Sequence, residues 1–166
     1  MKTLLIMRHA KSSWNDDGLP DHERPLNKRG KRDAPRMGQL LLEKALVPEF
    51  IITSAAKRAC KTAKKVAEAC QYTGPIEETW DIYRAPAEAY LAVLNKVAAD
   101  YERVLIIGHN PDLEDLLEML TGREEALPTG ALAQVALPIT RWGNLSPQTK
   151  GDLVNLWRPK ELPETE

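Results

Sequence analysis

The chain has 166 residues, with 23 Lys and Arg against 24 Asp and Glu, a formal charge of −1 and 43% hydrophobic residues. This length suits one domain, expected over residues 1–158 with 159–166 as a flexible tail, and it can bury a substantial core. A near-zero charge offers no basic field to nucleic acid or anionic membrane, and no apolar run approaches the roughly 20 residues of a membrane span.

Lys2–Met7 (KTLLIM) is an apolar run that reads as a strand and leads straight into Arg8-His9. A polar loop, Lys11–Arg24, follows. A helix is expected from near Asn27 to about Lys44, with Met37, Leu40, Leu41 and Ala45 on one face. Pro35 predicts a kink or a late start there, because it removes an intrahelical N–H and crowds the preceding turn. Residues 50–53 (FIIT) read as a second strand. The next helix, about 56–70, puts Ala59, Ala63, Val66, Ala67 and Cys70 on one stripe with lysines opposite. A short extended segment is expected near 76–79. Pro86 then opens a helix that buries Ala87, Leu91, Leu94 and Ala98.

Residues 102–108 (ERVLIIG) predict a strand over about 103–108, which delivers His109-Asn110-Pro111. Asn110 is expected as an N-cap, Pro111 as the first helical residue and Gly122 as the terminator, with Leu113, Leu116, Leu117 and Leu120 as the apolar face. Strands near 131–137 and 151–157 are expected to pair antiparallel across a loop at Arg141–Lys150. Alternating strands and helices predict an α/β fold, a three-layer α/β/α sandwich around a mainly parallel central sheet.

No secretory leader is legible, since Lys2 opens only a short apolar stretch without a cleavage site. Cys60 and Cys70 fall on one expected helix, about 15 Å apart along its axis, too far for a disulfide. Both read as small core hydrophobes, and free thiols without an export signal predict a cytoplasmic location. The basic stretches Lys28–Arg36 and Lys57–Lys65 read as solvated helix faces. Trp14, Trp80, Trp142 and Trp157 show no stacking pattern and read as core or rim packing. His22 reads as an exposed loop residue, and Asp21 or Glu23 as a carboxylate that could orient an arginine.

Four residues stand where strands give way to helices: Arg8 and His9 after the first strand, Arg58 in the first turn after the second, and His109 after the fourth. In open parallel sheets ligands bind at the carboxyl ends of the strands, beside helix N-termini. Two guanidinium forks offer bidentate donors to phosphate oxygens, and two imidazoles add a nucleophile and a further donor. The pattern predicts a site for a transferring phosphoryl group.

These residues resemble the motifs of the histidine phosphatase superfamily, with its phosphoglycerate-mutase-like fold, and most of all its SixA-type phosphohistidine phosphatases. The Arg-His-Gly motif reads Arg8-His9-Ala10, the Ser-x-x-x-Arg-Ala-x-x-Thr motif spans Ser54 to Thr62, and the late Gly-His is Gly108-His109, in the Gly-His-Asn-Pro form of that branch. Ser12 and Trp14-Asn15 match the mutase branch after its histidine. Arg24-Pro25-Leu26 followed by Gly30, and Leu127–Ala131, are lesser matches. The resemblance implies that His9 attacks phosphorus and is phosphorylated, then hydrolysed. It implies that Arg8, Arg58 and His109 hold the phosphoryl oxygens, and that Ser12 and Asn15 are minor phosphate contacts. His9 must be neutral at its attacking nitrogen, and a hydrogen bond from its other nitrogen to a backbone carbonyl would set that tautomer.

Two departures bear on function. Ala10 replaces the usual glycine, which is tolerable unless that position needs φ > 0. Where relatives carry a general acid, this chain has Arg84, with Asp81 and Glu88 as the nearby candidates. Glu88 also reads as a first-turn carboxylate that favours the helix dipole. Without an acid an alkoxide leaves poorly, whereas imidazole leaves readily from a P–N bond. The expected substrate is therefore phosphohistidine on a protein, such as a histidine-containing phosphotransfer protein in signal transduction, and no metal or organic cofactor is required. A small-molecule phosphomonoesterase and a non-catalytic phosphate-binding module are the alternatives. A zinc site on His9, His109 and Asp112 or Glu114 lacks the close histidine pair such sites use, and arginines would repel the dication.

Overall fold

The computed structural model describes residues 1–14 and 18–163. In chain order its elements are β1 (Lys2–Arg8), a 3₁₀ turn (Asp21–Glu23), α1 (Lys28–Glu43), β2 (Phe50–Ser54), α2 (Lys57–Ala69), β3 (Ile76–Thr79), α3 (Ala87–Asn95) and β4 (Arg103–Gly108). Then come α4 (Asp112–Thr121), β5 (Leu132–Leu137), a 3₁₀ turn (Trp142–Asn144), β6 (Asp152–Trp157) and a last 3₁₀ turn (Pro159–Glu161). The strands form one six-stranded sheet in the order β3-β2-β4-β1-β5-β6. Pairs β1/β4, β2/β4 and β2/β3 are parallel, and β1/β5 and β5/β6 antiparallel.

The continuous apolar run of β1 is what a strand covered on both faces requires. Successive side chains point to opposite faces. Leu4 and Ile6 join a core with Tyr90, Leu94, Leu113, Leu116 and Leu120 from α3 and α4. Leu5 and Met7 join a second core with Met37, Leu41, Ala63 and Val66 from α1 and α2. The two cores make the three-layer α/β/α arrangement expected from the sequence. No helix among the described residues is long and apolar enough to cross a membrane.

Several local expectations are corrected. The first helix starts at Lys28, capped by the Asn27 side chain on the Gly30 N–H, and continues through Pro35, so the proline delays nothing. Ala45 lies beyond the end of that helix with φ 57°, and Ala98 lies beyond α3 and is exposed, so neither belongs to an apolar helix face. Asn110 is not the N-cap of α4. Pro111 takes that position after a cis peptide bond, and the Asn110 amide instead donates to Leu127 O and Glu114 Oε2 at 2.8 and 3.1 Å. Gly122 ends α4 as expected, in the left-handed conformation that a residue without Cβ adopts freely. His22 is half-buried, edge-on to Trp80 at 5.5 Å. Cys60, half-buried, and Cys70, buried, are free thiols. In the segment expected to fray, residues 159–161 form a turn with Pro159 buried.

Candidate active site

Sheet register converts sequence distance into contact. Arg8 is paired with Gly108 across β1 and β4, and the His9 N–H donates to Gly108 O at 3.1 Å. Both strands therefore end level, and the residues that follow, His9 and His109, lie with ring centroids 5.1 Å apart. On the other side of β4, Thr53 pairs with Ile107, which brings Ser54 and the first turn of α2 to the same sheet end. A cavity of about 160 Å³ results, lined by Arg8, His9, Lys11, Ser12, Trp14, Arg24, Arg58, His109, Asn110 and Thr129. Among the described residues, no carboxylate lines it.

His9 is 6% exposed, and its Nδ1 stands 2.8 Å from Ala10 O. A carbonyl only accepts, so Nδ1 carries the proton and Nε2 keeps its lone pair. That Nε2 accepts from Arg58 Nε at 3.3 Å. Burial pushes the His9 imidazole down to about 3, opposed by the Ala10 hydrogen bond and assisted by His109, Arg58 and Arg8. Burial likewise lowers His109 to about 4, with Arg58 the next cause. Both rings are neutral at neutral pH.

Ala10 is fully buried and is not among the residues at positive φ, so its methyl is accommodated. Its N–H donates to Thr62 Oγ1 at 3.0 Å, and Thr62 Oγ1 donates to Arg58 O at 2.7 Å. Thr62 thus clamps α2 against the loop that carries His9. His109 Nε2 lies 2.7 Å from Ser54 Oγ, which also accepts from the Ala56 N–H. With the hydroxyl donating to Nε2, the proton of His109 sits on Nδ1, which is buried without a hydrogen-bond partner. Arg8 donates from Nη1 to Leu127 O at 3.1 Å, while its buried Nε is unpartnered.

Arg58 is 7% exposed and is held by Asp21, whose backbone O accepts from Nη1 at 2.8 Å and whose Oδ2 accepts from Nη2 at 2.9 Å. Asp21 also accepts from Tyr83 Oη at 2.7 Å and Arg24 Nη1 at 2.9 Å. Burial alone would raise the Asp21 carboxyl, but hydrogen bonds from Tyr83, Arg24 and Arg58 outweigh it and hold the group well below the usual carboxylate range. Arg24 lies over the exposed Trp14 ring, 3.3 Å from its centroid, and donates to Ser12 Oγ.

The structure thus brings Arg8, His9, Arg58, His109 and Ser12 together. Asn15 lies outside the described residues. Asp81 and Glu88 are exposed and neither lines the cavity; Glu88 sits in the first turn of α3 and Asp81 faces a groove with Phe50 and Tyr101. Glu114 accepts from Leu127 N and Asn110 Nδ2, and among the described residues no three His, Cys, Asp or Glu side chains converge as metal ligands. Sequence reasoning left Tyr83, Thr62 and Ser54 without a contact, and Asp21 only as one of two carboxylates. Their positions in the known motifs, or one turn from an arginine, were the available signal. Larger grooves of about 460 and 400 Å³ lie elsewhere and contain no histidine.

Residues 4–82 match the family model described as histidine phosphatase superfamily (branch 1). An uncharacterised chloroplastic protein of Arabidopsis thaliana is 30% identical over 141 residues, 77% of this chain; the chain spans 63% of that protein's length. An uncharacterised protein of Mycobacterium leprae is 31% identical over 122 residues, covering 70% of this chain and 71% of the relative. Among solved structures, the proposed phosphohistidine phosphatase SixA of Agrobacterium tumefaciens superposes with a TM-score of 0.82 at 25% identity, covering 95% of this chain and 98% of that one.

Proposed function

This chain belongs to the histidine phosphatase superfamily, and on that premise we propose that it removes the phosphoryl group from phosphohistidine on a protein, through a covalent intermediate on His9. One observation carries the reading: a neutral, tautomer-fixed imidazole with its Nε2 lone pair facing an arginine, in a cavity lined, among the described residues, by cationic donors and no carboxylate. Nε2 attacks phosphorus as the bond to the leaving nitrogen breaks. A leaving imidazole already protonated on its free nitrogen departs as a neutral ring, so no enzyme acid is needed. Water then attacks the phosphorus on His9, the P–Nε2 pair returns to the ring, and phosphate leaves with the water's proton passing to solvent. Arg8, Arg58 and His109 stabilise the charge on the equatorial oxygens; the buried, unpartnered Arg8 Nε is a donor that a phosphoryl group would satisfy, and His109 Nδ1 is a second when the Ser54 hydroxyl donates to Nε2. Ser12 and Asn15 are secondary contacts in this reading.

Two features support a P–N over a P–O substrate. Asp21, the one carboxylate touching Arg58 among the described residues, is held ionised and cannot serve as an acid near neutral pH. Asp81 and Glu88 do not line the cavity. Among the described residues, then, nothing supplies the general acid help for an alkoxide that is typically worth about 10²–10⁴-fold. The site's small volume fits a phosphoryl group and part of a ring, with the bearer outside the mouth. A histidine-containing phosphotransfer protein is a fitting partner. The test is turnover of a phosphorylated histidine-containing transfer domain against a panel of sugar phosphates, with acid quenching to trap the label. The reading expects label on His9 and faster turnover of the phosphohistidine. Preference for a sugar phosphate would favour a small-molecule phosphomonoesterase, and binding without label on His9 a non-catalytic module.

A further inference from the structure

We propose that Asp21 is the positioning residue of the phosphoryl site: it holds the Arg58 guanidinium with its Nε edge turned to His9. The inference rests on the reading of Arg58 as a phosphoryl clamp and assigns what orients that clamp. A guanidinium that is 7% exposed needs a counter-charge and partners for its donors. Asp21 supplies both, through its backbone O on Nη1 and its Oδ2 on Nη2. A planar fork gripped at both terminal nitrogens cannot turn about its Cδ–Nε bond without losing both contacts. The edge left over is the one whose Nε–H meets His9 Nε2 at 3.3 Å.

Asp21 is itself fixed from two further sides. Tyr83 Oη donates to Oδ2 and Arg24 Nη1 to Oδ1, and Arg84 Nη2 stands 3.8 Å from Oδ2. The Tyr83 ring meets His109 edge-on at 5.6 Å between centroids. One carboxylate therefore ties the Asp21–Glu23 turn, the start of α2 and the Trp80–Arg84 turn into a wall of the site. Arg84, at φ 52°, is one of the described non-glycine residues in the left-handed region, a local strain that the surrounding contacts hold in place.

Two effects of removing this carboxylate oppose each other. A more cationic cavity would bind an anion more tightly on charge alone. An Arg58 left with only the main-chain carbonyl on Nη1 would lose its fixed orientation and bind it less well. The burial of Arg58 and its three simultaneous bonds make the second effect the larger, so the sign of the change decides the matter.

The experiment compares Asp21→Ala and Asp21→Asn, each in the otherwise unchanged protein and in an Arg58→Ala background. Free phosphohistidine serves as substrate and tungstate as the probe anion. Asp21→Ala should lower kcat about 10- to 100-fold and weaken tungstate binding about 10-fold, on the scale of losing one oriented donor. Asp21→Asn can keep an oxygen on Arg58 and Tyr83 while facing Arg24 with its amide, and should fall between. In the Arg58→Ala background, Asp21→Ala should cost less than about 2-fold, because residues acting through one another are not additive. Equal or tighter tungstate binding by Asp21→Ala, or the same fold-loss in both backgrounds, overturns the proposal. Should Asp21→Ala fail to melt cooperatively, Asp21→Asn carries the same cycle. If the unchanged protein turns over no phosphorylated substrate, the phosphatase reading fails alone, and the tungstate measurements still judge Asp21.

Discussion

His9 is neutral because its surroundings penalise charge, not because solution pH happens to suit it. Burial lowers it to about 3, assisted by the adjoining His109 ring and the Arg58 and Arg8 guanidinium groups, and Ala10 O dictates which nitrogen keeps the lone pair. The acidic limb of kcat/KM should therefore show no enzyme ionisation near 6.5. Once the substrate's own titration is divided out, the profile should be flat from about pH 5 to 8; an inflection near 6.5 that vanishes on replacing His9 would contradict this. His9→Ala should abolish turnover, by at least about 10³-fold, while leaving tungstate binding measurable through the arginines. Arg58→Ala should weaken phosphate binding and rate together, by about 10²-fold in kcat/KM. Near-normal turnover in His9→Ala, measured by phosphate release, would remove the nucleophile assignment.

At the scale of elements, the site is held by close approaches behind it. Tyr90 of α3 accepts from the His109 N–H and donates to Ile82 O, and a Cβ at Gly108 would stand within 2.3 Å of its hydroxyl. Gly108→Ala should displace Tyr90, cost about 1–3 kcal/mol of stability by overpacking, and slow turnover, because the displaced group positions the residue after it. At Gly122 a Cβ meets nothing within 4 Å, but φ is +73°. Gly122→Ala should cost only about 1 kcal/mol through backbone strain and leave kinetics unchanged, since α4 ends far along the chain from His109. Thermal melts and steady-state kinetics on the two variants separate the mechanisms.

For the whole molecule, two buried neutral histidines couple folding to pH. Unfolded, each binds a proton near pH 6.5; folded, only near 3 for His9 and 4 for His109. Between those limits the unfolded chain holds more protons, so stability is full above 6.5 and falls as pH drops. The limiting slope is about 1.36 kcal/mol per pH unit for each ring. Asp21, whose carboxyl is depressed, adds its own loss as pH falls through the usual carboxylate range and is silent between pH 5 and 7. Urea unfolding should thus show several kcal/mol less stability at pH 5 than at pH 7, and His109→Gln should flatten that slope by about half. A slope unchanged by replacing either histidine would place the pH dependence elsewhere.

Strand and helix positions were legible in the amino-acid order because apolar periodicity and junction residues are local properties: β1, β2, β4 and α2 lie within a residue or two of expectation, and Arg8, His9, Arg58 and His109 were named from their places after strands. The misreadings were also local in origin. Asn110 looked like a cap, but its amide is taken by Leu127 and Glu114, partners brought close only by folding. What the order of residues could not supply was pairing. The level ends of β1 and β4, the carbonyl that selects the His9 tautomer, and above all the grip of Asp21 on Arg58 depend on which segments become neighbours across the sheet end. A hydrogen bond between residues 37 positions apart has no periodicity to betray it; only the packed chain, which must pair every buried charge, decides it.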